Sequence, residues 1–105
     1  MGEQTKTRTR STEDLLREIV DVVVSRVHPK RIILFGSRAS GRARAYADFD
    51  LAVEGVAMDA RTERLLKETL DEKAGIFTVD LVVLDKVEPE FREIVIQTGR
   101  VVYGG

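Results

Sequence analysis

A chain of 105 residues, 43% of them apolar, has the size of one domain with a modest core. A net charge of −1 gives no electrostatic footprint for nucleic acid, and the absence of cysteine excludes a disulfide framework or a thiolate metal site. No apolar run approaches the roughly 18 residues of a membrane span and no signal-peptide core follows the start, so a soluble, cytoplasmic protein without a membrane partner is expected.

Residues 1–10 are polar, with Lys6, Arg8 and Arg10 and no large apolar anchor. They read as a disordered tail, with one domain over 11–105. Ser11 is placed to cap a helix, and Leu15, Ile19, Val22, Val23 and Val27 recur at helical spacing. Pro29 ends that helix by biasing His28, the only histidine, toward extended angles. A strand is expected over Arg31 to Phe35, then a short helical turn capped by Ser37 and closed by Gly41. A second strand spans about Phe49 to Glu54. Asp59 caps a second long helix whose apolar side is Leu65, Leu66, Leu70 and Ala74, and whose charged residues, Lys67 and Asp71 among them, read as a solvated face. Gly75 stops it. A third strand is expected over Phe77 to Leu84, a third long helix from Pro89 to Gly99, and a last strand over Arg100 to Tyr103. This order describes an α/β or α+β single sheet with helices packed against it.

The chemistry gathers around two stretches. An apolar strand runs into Gly36-Ser37, and helical N–H groups at such a turn bind phosphate, with glycine allowing close approach. Arg38, Arg42 and Arg44 lie around the turn and can neutralise phosphate charge. The second stretch opens on Asp48 and Asp50, which share one strand face about 6.5 to 7 Å apart. Carboxylates this close raise each other's proton affinity unless a cation neutralises them, and their hard oxygens suit magnesium or manganese. Asp80, on a half-apolar strand face, is a third carboxylate that one sheet could bring to the same place.

Leu34-Phe35-Gly36-Ser37-Arg38-Ala39-Ser40-Gly41 followed by Asp48-Phe49-Asp50-Leu51 resembles the signature of the DNA polymerase beta-like nucleotidyltransferase superfamily. The small size is similar to its minimal members, the MNT-domain antitoxins of HEPN/MNT pairs. The resemblance runs from about Arg31 onward and implies a single-domain fold with a mixed β-sheet and packed helices. It implies that Gly36 and Ser37 hold a triphosphate and that Asp48 and Asp50 bind two magnesium ions, with manganese as a substitute. It assigns Asp80 to the same metal site and to deprotonation of the acceptor hydroxyl. The residue before the first aspartate is usually serine in such proteins; here it is Ala47. Two ions about 3.5 to 4 Å apart would then clamp an in-line displacement at phosphorus.

The implied activity is transfer of AMP from ATP to a hydroxyl of a helical HEPN-type partner, in an assembly with that partner. Two other readings compete: an antitoxin that works by binding alone, and a transferase for a small hydroxylated substrate such as an aminoglycoside. The intact carboxylates weigh against the first, and the lack of a substrate-holding domain in the sequence weighs against the second.

Overall fold

The computed structural model describes residues 11–41 and 47–105; the expected tail 1–10 and the turn residues Arg42 and Arg44 lie outside them. Helix α1 (Thr12–Val27) starts where Ser11 Oγ accepts the Asp14 N–H at 3.0 Å. It buries Leu15, Leu16, Ile19, Val20 and Val23, a broader stripe than the expected one, in which Val22 and Val27 stay half-buried at its edges. The helix ends before Pro29 as expected, but His28 closes it in the left-handed conformation (φ 51°), its N–H donating to the Val24 carbonyl.

Strands β1 (Arg31–Phe35) and β2 (Phe49–Glu54) fall where the apolar runs place them, with the short turn α2 (Ser37–Ser40) after β1. Asp59 caps α3 (Ala60–Ala74) by accepting the Thr62 N–H at 2.8 Å. Leu65, expected on the apolar side, is 40% exposed; Leu66, Leu70 and Ala74 are the buried residues of the helix. Strand β3 (Val79–Val83) is shorter than expected. Phe77 at one end is drawn into the turn after α3, its N–H bonding to the Ala74 carbonyl. Leu84 at the other end opens a 3-10 turn, Leu84–Lys86, that leaves it fully buried. Helix α4 (Pro89–Thr98) and β4 (Arg100–Gly104) complete the described chain.

The four strands form one mixed sheet in the order β3-β2-β1-β4, with β2 parallel to β3 and the other neighbours antiparallel. Alternation along each strand sends Ile32, Leu34, Phe49, Leu51, Val53, Val79, Leu81 and Val83 to the face covered by α1 and α3, the large core. The opposite face carries a smaller core, Ile33, Ala52 and Leu84 against Val95 of α4, with Phe35, Val82 and Val87 around it. Glu54 anchors this side: it takes the Arg31 Nε–H at 2.7 Å and Arg92 Nη2 of α4 at 3.2 Å. At the starts of β2 and β3, Asp48 is exposed and Asp50 and Asp80 are half-buried.

Candidate active site

Parallel pairing of β2 with β3 sets Asp50 directly opposite Asp80. Residues opposite each other in a register share a face, so the two carboxylates leave neighbouring strands side by side. Across β2 from Asp80 stands Phe35, the last residue of β1 and the register partner of Asp50. Its ring meets Phe91 of α4 edge-on, centroids 5.7 Å apart, which makes an apolar wall beside the carboxylates. The chain then turns at Gly36, whose φ of 77° and ψ of −156° belong to a region almost confined to glycine. A Cβ there would run into the Asp50 carboxylate. Gly36 is therefore needed twice, for its backbone angles and for the space it leaves to Asp50.

Asp48 lies exposed just before β2, two residues from Asp50, and its charge acts on both Asp50 and Arg38. The carboxyl of Asp50 is pushed up to about 6, first by burial, then by the charge of Asp80 and the side-chain hydrogen bond with it, and last by Asp48. Burial is the larger cause and the neighbouring carboxylates add to it; a cation would relieve the second. Among the described residues no three His, Cys, Asp or Glu side chains are already gathered around one point. The donor set nonetheless fits a hard divalent ion: oxygen ligands only, in mutual repulsion that a cation would relieve.

The turn after β1 departs from expectation in two respects, its cap and the direction of the Arg38 side chain. Gly36, not Ser37, occupies the cap, and its carbonyl accepts the Ala39 and Ser40 N–H groups at 3.2 and 3.3 Å. Ser37 becomes the first residue of α2, and the N–H groups of Ser37 and Arg38 belong to the first turn, where no intrahelical acceptor exists. The Arg38 side chain goes to the other face. Its Nε and Nη2 both donate to the Ala47 carbonyl, at 3.0 and 2.7 Å, and its guanidinium lies 4.2 Å from the Phe49 ring centroid and 5.3 Å from that of Phe77. Burial lowers its pKa, against the field of Asp48. The structure thus brings Gly36, Asp50 and Asp80 together, with Asp48 two residues along the chain from Asp50 and the Ser37 and Arg38 main chain beside Gly36.

Lys67 and Asp71 were expected on a merely solvated face. Instead Lys67 Nζ donates to the Val79 carbonyl at 2.9 Å and to Asp71, and Asp71 accepts the Val79 N–H at 3.4 Å. They staple α3 to the residue before Asp80. Their separation of four is the one sequence signal of such a pair; that they meet β3 is decided by the packing.

A small mixed sheet with a Gly-Ser turn against Asp50, Asp80 in register with it and Asp48 two residues away is the arrangement of a nucleotidyltransferase. The chain belongs to the family described as Polymerase beta, Nucleotidyltransferase, which it matches over residues 17–105. It is 33% identical to the probable protein adenylyltransferase MntA of Haemophilus influenzae over 79 residues, 73% of this chain and 69% of that protein. The fold is shared with a toxin-antitoxin crystallised with AMP-PNP (TM-score 0.71, 24% identity, 90% of this chain and 75% of that one). It is shared too with a tri-AMPylated Shewanella oneidensis HEPN toxin in complex with MNT antitoxin (TM-score 0.70, 22% identity, 90% and 74%). Among the described residues no helix is long and apolar enough to cross a membrane.

Proposed function

We propose that this chain is a magnesium-dependent, cytoplasmic adenylyltransferase that moves AMP from ATP to a hydroxyl of a HEPN-type toxin, and so acts as the antitoxin of the pair. The observation that carries the reading is the register of Asp50 against Asp80 beside Gly36, with Asp48 two residues away. Asp48, Asp50 and Asp80 would hold the metal. Bound magnesium supplies Lewis acid at the phosphoryl oxygens and lowers the pKa of the attacking hydroxyl. Gly36, Ser37 and Arg38 line the triphosphate, Gly36 by having no side chain and the other two through first-turn N–H groups. Asp80, half-buried next to Asp50, is the group to take the acceptor proton. The chain contributes positioning and fixed charge. With Asp48 exposed and Asp50 and Asp80 half-buried, those charges stand partly in water, where they act weakly, so a docked partner would raise turnover by excluding it.

The support from relatives is twofold: the MntA similarity for the reaction, and the shared fold of the MNT–HEPN complex for the partner class. Mass spectrometry of the chain with ATP, magnesium and a HEPN-type protein tests the proposal. One AMP added to a hydroxyl side chain of the partner, absent with Asp48→Asn, is the expected result. Labelling of the chain alone, or of a small hydroxylated molecule without any effect of the partner, would overturn it.

A further inference from the structure

We infer that Arg38 is a positioning residue that presents Asp48 to the metal by holding the Ala47 carbonyl. Asp48 precedes the first residue of β2, so the strand ladder does not fix it. Both peptide groups that flank it are nevertheless held. The Ala47 carbonyl, in the peptide before Asp48, receives two donors of one guanidinium at 3.0 and 2.7 Å. The Phe49 N–H, in the peptide after it, donates to the Thr78 carbonyl at 2.9 Å. With both peptides tied, the direction in which the Asp48 side chain leaves the backbone is set.

The guanidinium is itself held. It stacks at 4.2 Å over Phe49, whose ring is locked in the large core and packed at 5.5 Å against Phe77. A fork of two N–H groups on one oxygen, on a planar cation lying against a ring, is something arginine can make and lysine cannot. The arrangement works from the far face of the sheet: Phe49 points away from Asp50, and Arg38, besides its charge, reaches Asp48 through the main chain.

The inference rests on the proposed metal role of Asp48, and the test separates the two. Mn2+ is titrated into the full-length chain and free ion is followed by electron paramagnetic resonance, for wild type, Asp48→Asn, Arg38→Ala and Arg38→Lys. Partners that orient a metal ligand are worth about 10- to 100-fold in affinity, so both Arg38 variants should bind Mn2+ at least about ten-fold more weakly. The sign is diagnostic. A cation acting only through its charge would repel the metal, so Arg38→Ala would bind Mn2+ more tightly and Arg38→Lys would match wild type. Either of those outcomes, or unchanged affinity in both variants, overturns the inference while Asp48→Asn still reports the metal site. Wild-type-like binding by Asp48→Asn, or no binding by wild type, removes both readings. Arg38→Lys keeps length and charge, so it carries the test if Arg38→Ala melts near the assay temperature.

Discussion

Removing the charge of Asp50 should stabilise the metal-free protein, although it destroys the site. The folded carboxyl is raised from 3.8 to about 6, so the native state binds its proton more tightly than the unfolded chain does. The stability this provides is complete below the unfolded value, is lost as pH rises from about 4 to about 6, and is gone at neutral pH, where the ionised group must sit beside Asp80. At 1.36 kcal/mol per tenfold in proton affinity, the loss is at most about 3 kcal/mol. Asp50 is only half-buried, so solvent screening reduces this to about 1 to 2 kcal/mol. Asn at position 50 has the same shape, carries no charge and can donate to Asp80. Metal-free Asp50→Asn should therefore melt about 5 to 10 °C above wild type at neutral pH, with the gap closing toward pH 4. Magnesium and a non-hydrolysable ATP analogue should reverse the order, because ligand binding stabilises only the protein that binds it. Differential scanning fluorimetry across pH reads both effects. Equal or lower melting temperature for metal-free Asp50→Asn at neutral pH would refute the account of crowded carboxylates.

Three further outcomes are expected. Asp80→Ala should cut AMP transfer to the partner by about 10³-fold, several kcal/mol of lost metal and proton handling, while urea unfolding of the metal-free protein is no easier; activity that survives with only a shifted magnesium requirement would make Asp80 peripheral. Gly36→Val should cost about 1 to 3 kcal/mol in urea unfolding, from forced backbone angles, and weaken ATP binding by displacing Asp50; unchanged nucleotide affinity would mean the triphosphate lies elsewhere. Glu54→Ala takes the carboxylate from Arg31 and leaves Arg92 with Asp85 and the Leu84 carbonyl, and should cost about 1 to 3 kcal/mol; a stability change within the error of the urea midpoint would show that the Glu54 pairs do not anchor α4.

Local chemistry and periodicity determined a good deal by themselves. Ser11 and Asp59 cap their helices because a short side-chain oxygen before an amphipathic run has one local use. The apolar runs at Ile32 and Leu51 could only be strands, since they are short, branched and bounded by turn residues. Gly36-Ser37 with Asp48 and Asp50 was legible as chemistry because its parts lie within one supersecondary unit. What depended on tertiary structure is everything that needs two distant segments to meet. Asp80 could be suspected from sequence, but only the parallel register of β2 and β3 sets it against Asp50. Periodicity sees one strand at a time and carries no register between strands. The same limit hid Lys67, whose carbonyl partner lies 12 residues away on another element. It hid the end of β3 as well, where Leu84 leaves the strand to be buried beneath α4. Arg38 shows the limit most directly. Its place in the turn suggested a phosphate ligand, but the packed Phe49 and Phe77 rings offer its guanidinium a surface on the opposite face, and that surface exists only once the core has formed.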